Sequence, residues 1–242
     1  MSAPGSSAVA PAARQLFAVS GVLTGDRSRT RRLIEYAVSL APVSGRPVRF
    51  CFLPTAEGDH PAAVQWFLDA FGNEPGLEAS VFTVFPRPSA PPEHLLTQDV
   101  IWVGGGSVVN LMALWRAHGI DAVLRECRQR GVVLAGQSAG SLCWHAGGVT
   151  DSVTDQLDAY DNCLGWLPWS NGVHDDLADQ PRRTAYRKFV AEGTLPPGYA
   201  TEDGVGLHYV DGELHEAVSV LPDARAWYVT ADGEREIVPR LI

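Results

Sequence analysis

Short apolar runs recur along the chain and alternate with longer segments in which apolar positions return every three or four residues. The runs are QLFAVSG (15–21), PVRFCFLP (47–54), EASVFTVF (78–85), DVIWVGGG (99–106) and GVVLAGQS (131–138). Their unbroken apolar character predicts strands buried on both faces. Between them, RSRTRRLIEYAVSLA (27–41), HPAAVQWFLDAFG (60–72) and NLMALWRAHGIDAVLRECRQRG (110–131) place apolar residues at helical spacing. This alternation predicts an α/β fold, a mostly parallel sheet with helices on both faces. The proline-rich RPSAPPEHLLTQ (87–98) is a connection, because the pattern resumes directly after it.

Past residue 195 the texture changes to short alternating segments with Asp-Gly turns, GLHYVDGELHEAV (206–218) and AWYVTADGEREIV (226–238). These are hairpin signals. They predict antiparallel hairpins packed at one edge of the main sheet, within a single domain spanning 15–242 and preceded by a flexible N-terminal tail over 1–14.

Composition narrows the function classes. A net charge of -9 over 242 residues disfavours nucleic acid and anionic membrane as partners. With 45% hydrophobic and 19% charged residues, the chain has the composition of a folded domain. The four cysteines, 51, 127, 143 and 163, form no C-x-x-C pair and read as reduced packing residues, with neither a zinc site nor a disulfide framework. No run approaches the ~20 apolar residues of a membrane span, and the first residues lack a leader pattern. A cytoplasmic location is the expectation.

Candidate chemistry centres on AGQSAGSLCW (135–144), where Gly136-Gln137-Ser138-Ala139-Gly140 fits G-x-S-x-G. In that motif a nucleophilic serine sits on a tight strand-to-helix turn whose crowding demands small neighbours. Here Ser138 follows a predicted strand and opens a helix, so its hydroxyl would project from the carboxyl end of the sheet, beside the free N–H groups of a helix start. VGGGS (103–107) also follows a strand and opens a helix, and its backbone could add further N–H groups. It lacks the Lys-Ser/Thr of a phosphate loop and the full G-x-G-x-x-G spacing.

Of seven histidines, His174 in WSNGVHDD (169–176) is the one placed to return to the mouth of the sheet and act as base. His145 is expected two turns down the serine helix, pointing away. Asp151, in the turn-like GGVTDS (147–152), is the first choice for the acid that orients the base, with Asp155, Asp158, Asp161, Asp175 and Asp176 as rivals. The order Ser, Asp, His matches α/β-hydrolases, but the intervals are too short for that fold's intervening strands. A cysteine amidotransferase-type reaction is disfavoured, since the elbow carries serine and Cys143 lies beyond it.

Taken together, VGGGSVVNLM, RGVVLAGQSAGSLCW, VTDS and SNGVHDD resemble the peptidase E group of cytosolic serine dipeptidases, relatives of cyanophycinases with a class I glutamine amidotransferase-like, flavodoxin-like fold. The resemblance runs over most of 15–240. It implies Ser138 as nucleophile, His174 as general base and then acid, Asp151 as orienting acid, and an oxyanion hole from the N–H groups of Gly106 and Ala139. It also implies Arg182, in DQPRRTAYRK, as the reader of the acidic side chain of an N-terminal aspartate. A guanidinium suits that role because it grips a carboxylate with two parallel bonds.

Two departures from the family pattern bear on substrate preference. Ser107 stands where an asparagine is usual after the glycine triplet, and Asn171-Gly172-Val173 replaces the usual Asn-Pro before the histidine. Glu202 and Asp203 fall where relatives carry an acidic residue near the site; we read them as capping the turn before the hairpin, the other reading being a contact to a dipeptide's free amine. The expected function is therefore a serine exopeptidase hydrolysing short peptides, in particular dipeptides with N-terminal Asp, through an acyl-enzyme on Ser138, with no cofactor and no metal. The alternatives are a cyanophycinase-like hydrolase of β-aspartyl-arginine and a non-catalytic binding protein on the same scaffold. The resemblance and the seven tryptophans lead to a homodimer as the expected assembly.

Overall fold

The computed structural model describes residues 12–22, 26–154 and 156–242. Most of the expected N-terminal tail lies outside the described residues. The five apolar runs form β1 (Gln15–Val19), β2 (Val48–Leu53), β3 (Leu77–Val81), β4 (Val100–Val103) and β5 (Val133–Gln137). They pair in parallel in the order β1-β5-β4-β2-β3, and β5 returns between β1 and β4. Helices α1 (Arg27–Ser39) and α2 (Pro61–Phe71) cover one face. The predicted helix over 110–131 is two helices, α3 (Val108–His118) and α4 (Ile120–Gln129), on the other face. They are parted by Gly119 at φ 68, a left-handed geometry that glycine adopts without steric cost.

After β5 the helix opened by the serine turn is short, α5 (Ala139–Leu142), and His145 begins β6 (His145–Thr150). The expected second helical turn is thus replaced by the start of a second sheet. It contains β6, β7 (Asp158–Tyr160), β8 (Leu167–Gly172) and β9 (Gly198–Thr201), with α6 (Arg182–Ala191) crossing from β8 to β9. β6, β8 and β9 are parallel neighbours. The pattern at 145–150, HAGGVT, gives no apolar run because its glycines are packing sites. A Cβ on Gly148 would collide with the Asn171 carbonyl of the neighbouring strand.

The two C-terminal hairpins go to different sheets. β10 (Val205–Val210) and β11 (Glu213–Ser219) extend the main sheet antiparallel from β1, as expected. β12 (Ala226–Thr230) and β13 (Gly233–Ile237) instead extend the second sheet from β9, and β14 (Arg240–Leu241) closes the edge of the main sheet beside β11. One apolar cluster lies between the sheets, joining Leu134, Val103 and Leu142 to Trp144, Leu167 and Tyr209. No helix of the described residues is long and apolar enough to cross a membrane.

Candidate active site

Ser138 sits at φ 53, ψ -113, immediately after β5 and at the N-cap of α5. A non-glycine residue holds such a conformation only when its surroundings over-determine it. Here its N–H donates to the carbonyls of Val19 (3.0 Å) and Ser20 (3.1 Å), and its own carbonyl accepts from Ser141 and Leu142. The two flanking glycines are needed for contact: a Cβ on Gly136 would strike the Gly140 carbonyl, and one on Gly140 would strike that of Val103. The motif is thus enforced by the close approach of β4, β5 and α5.

The hydroxyl of Ser138 lies 3.0 Å from Nε2 of His174. His174 follows β8 at φ 58, buried, and its N–H donates to Ser20 Oγ at 2.7 Å. Ser20 in turn donates to the Thr201 carbonyl at 2.9 Å, so one buried hydroxyl ties β1, the histidine loop and β9 together. Gly21 lies under the imidazole, where a Cβ would come within 2.7 Å of Cε1. Nδ1 of His174 is 2.5 Å from Oδ1 of Asp203. That contact places the proton on Nδ1 and leaves Nε2 to accept from Ser138.

The acid beside His174 is therefore Asp203, which corrects the expectation of Asp151. Parallel pairing explains the difference. β8 and β9 are in register from Ser170 with Gly198 to Gly172 with Ala200, so the loops leaving their carboxyl ends emerge side by side. Asp151 follows β6 and turns instead towards α6, where its carboxylate meets Arg182 at 2.9 Å and Gln180 at 3.2 Å. Burial pushes the Asp151 carboxyl up, but Gln180 and Arg182 outweigh it and hold the group below its ordinary range. Of the acids named as rivals, Asp176 accepts the Asp203 N–H at 2.9 Å. Asp175 is buried beneath Arg183 (2.8 Å) and Arg187 (2.6 Å), its carboxyl raised by burial against the pull of Arg187. Asp158 accepts from Thr154, and Asp155 lies outside the described residues.

The Glu202 carboxylate does not cap its own turn as expected but accepts the Arg225 N–H at 2.8 Å, tying the turn before β10 to the start of β12, while Asp203 meets His174. Ser20 and Asp203 are the members of the site that sequence reasoning missed. Asn171, quoted only as a departure, is buried and bridges Ser141 Oγ (2.8 Å) to the Tyr199 carbonyl (3.2 Å). Ser107 caps α3, its Oγ accepting from Asn110.

Two sources of N–H groups flank the hydroxyl. Ala139 is the first residue of α5, so its N–H has no acceptor within the helix. Gly105 packs on Ser138, the position of a missing Cβ lying 3.3 Å from the serine Cβ. Gly104 N–H donates to Leu53 and Ser107 N–H to Ala56. The N–H groups of Gly105 and Gly106 between them donate to no backbone carbonyl of the described residues. Gly106 itself, at φ 128, is held against the Ala56 carbonyl.

Two of the other histidines make hydrogen bonds within the fold. His145 is fully buried between the Ser141 carbonyl (2.9 Å) and the Tyr209 hydroxyl, and burial lowers its pKa to about 4. His60 accepts the Ala62 N–H at the start of α2. Cys143 is buried and contacts the Gly140 carbonyl, with its thiol pushed far up by burial.

A doubly layered α/β protein with a serine on a strained strand-to-helix turn, backed by an imidazole and a carboxylate, has the makings of a serine hydrolase. The chain belongs to Peptidase family S51, whose family model matches residues 16–217. It is thus a peptidase. Peptidase YgaJ of Bacillus subtilis (strain 168) is 39% identical over 189 residues, covering 78% of this chain and 80% of that protein. Peptidase E of Shewanella denitrificans is 23% identical over 199 residues, covering 77% and 82%. In fold the chain is similar to a peptidase from an acI-B1 Actinobacterium, with a TM-score of 0.67 and 15% identity over 94% of this chain and 95% of that one. A Listeria monocytogenes EGD-e protein described as a peptidase E gives 0.61 and 18%, over 87% and 100%.

Proposed function

We propose that the protein is a serine exopeptidase hydrolysing short peptides, in particular dipeptides with an N-terminal aspartate, through an acyl-enzyme on Ser138. The observation that carries this reading is the line of contacts from Ser138 Oγ to His174 Nε2 (3.0 Å) and from His174 Nδ1 to Asp203 (2.5 Å). The Ser138 hydroxyl attacks the peptide carbonyl as its proton passes to Nε2. The C–N bond then breaks and the imidazolium returns that proton to the leaving amine. Asp203 keeps the imidazole in the required tautomer and offsets its transient charge. N–H groups of Ala139 and of Gly106 hold the developing oxyanion. Water activated by His174 releases the acyl group.

Arg182 is our choice for the acidic side chain of the substrate. Its Nε is 2.7 Å from Gln180 Oε1 and its Nη2 2.9 Å from Asp151, which fixes the guanidinium plane, while Nη1 has no ion-pair or hydrogen-bond partner among the described residues. In this reading Asp151 acts through Arg182. The test is hydrolysis of α-aspartyl, leucyl and β-aspartyl dipeptides sharing one leaving residue, together with labelling by a fluorophosphonate. Expected are preference for the α-aspartyl substrate, labelling of Ser138, and a loss of at least about a thousandfold in kcat for Ser138→Ala. Undiminished hydrolysis by Ser138→Ala would overturn the mechanism, and equal cleavage of leucyl and aspartyl substrates would overturn the role of Arg182.

A further inference from the structure

A cleft at the carboxyl ends of β2, β4 and β5 lies beside Ser138 and contains two opposite charges that the steps above do not use. It encloses about 320 Å³ between the starts of α1 and α2 and is bounded by Gly104 and Gln137, next to the glycine triplet and the serine turn. Phe52, Trp66 and Trp102 give it an aromatic lining. Arg27 stands on one wall with its guanidinium 5.9 Å from the centre of the Trp66 ring. Glu57 stands on another, its Oε1 3.4 Å from where a Gly104 side chain would begin. Neither forms an ion pair within 4.0 Å among the described residues. The protein packed around Glu57 pushes its carboxyl above the ordinary range, with His60 opposing, and a cation laid against it would relieve that shift.

The cleft and Arg182 lie on opposite faces of the main sheet. Phe52 and Trp102 belong to the apolar cluster under α1 and α2, with Phe17 and Ala135. The turn carrying Asp151 docks on the other face, where Ser152 Oγ accepts the Val108 N–H at the start of α3. Ser138 stands at the carboxyl end of the sheet between them, so an acyl side chain directed to Arg182 sends the leaving half of the substrate the other way. His174, which protonates the leaving amine, rests its Cε1 over Gly21, and the next residue, Val22, lines the cleft.

We infer that this cleft is the subsite for the residue released, and that it takes an amino acid with a free α-carboxylate, held by Arg27, and a long basic side chain, held at Glu57. The inference rests on the serine peptidase reading of Ser138 and His174. The amine of the leaving residue is the scissile nitrogen, which must sit at His174, so the cation that meets Glu57 has to come from the side chain. The methylene stem of lysine or arginine lies along the aromatic lining, as such stems do on apolar surface.

Four substrates test it, Asp-Lys, Asp-norleucine, Asp-Glu and the C-terminal amide of Asp-Lys. Asp-Lys is expected to have the highest kcat/KM, by about tenfold over norleucine, which corresponds to ~1.4 kcal/mol. In Glu57→Gln that advantage should vanish through KM, and in Arg27→Gln the free acid and the amide should be cleaved alike. Equal kcat/KM for the four substrates, or a lysine preference that survives Glu57→Gln, would overturn the assignment. Calorimetric titration of Ser138→Ala protein with free lysine and free norleucine separates this from the underlying reading. Lysine binding that Glu57→Gln removes, in a wild-type protein that cleaves none of the peptides, would sink the peptidase mechanism and keep the specificity of the cleft. Cleavage of all four without lysine binding would do the reverse.

Discussion

Asp203 and His174 are 29 residues apart in the chain, yet the Asp203 carboxylate lies 2.5 Å from the imidazole Nδ1. The separation is the length of one parallel crossover, out of β8, through α6 and back along β9. Asp203→Asn should keep the fold and lower kcat by about 10³- to 10⁴-fold, because an amide no longer enforces the Nδ1–H tautomer. Asp151→Asn should leave kcat on a leucyl substrate within a few-fold and raise KM chiefly for aspartyl ones. Steady-state kinetics of the two variants decide between the carboxylates.

Ser20 joins the histidine loop to β9 through two hydrogen bonds. Ser20→Ala removes both the acceptor of the His174 N–H and the donor to Thr201 in a fully buried place. A loss of about 1–3 kcal/mol in stability is expected. Ser20→Thr retains the hydroxyl, so it should recover kcat further than alanine does. If alanine loses stability yet keeps full kcat, Ser20 holds the loop without aiming the imidazole.

Gly140→Ala tests the elbow. Its added methyl meets the Val103 carbonyl, backbone that has no rotamer to yield with. Destabilisation of about 2–4 kcal/mol is expected, visible as a lowered midpoint in urea unfolding. Gly212→Ala, at a turn with nothing within 4 Å of the new Cβ but with φ 95, gives the comparison for backbone strain alone.

Acid stability should follow His145. Burial holds its folded pKa at about 4, below the 6.5 of the free side chain, so the unfolded chain binds more protons between these values. Stability is then full above about pH 6.5 and declines as the pH falls towards 4, by on the order of 3 kcal/mol for this group. His208, also near 4 through burial, adds in the same direction. Urea unfolding at pH 7 and pH 5 should show the decline, and His145→Gln should flatten it. An unchanged slope in that variant would assign the acid sensitivity elsewhere.

How much of this was legible follows from what each feature depends on. The five strands of the main sheet were readable because burial on both faces leaves an uninterrupted apolar signature, as in VIWV (100–103). The serine turn was readable because its glycines answer to contacts within a few residues or with the adjacent strand. β6 was not, since close packing there selects Gly147 and Gly148 over β-formers. Nor was the break at Gly119, where the apolar spacing runs on through a residue that turns the chain. Asp203 and Ser20 were hidden for another reason: their roles arise from strand pairing across the molecule, and an Asp-Gly pair before a hairpin looks the same whether or not an imidazole stands behind it.

Ser138 leaves one sheet, and the imidazole and carboxylate it faces leave the other. Ser138 thus meets His174 only while the two sheets are seated on each other, with the Ser20 hydroxyl as the latch. Turnover in this peptidase should serve as a gauge of that seam. A perturbation that loosens the junction by an ångström would silence hydrolysis while each sheet, watched by its own spectroscopic probe, still registers as folded.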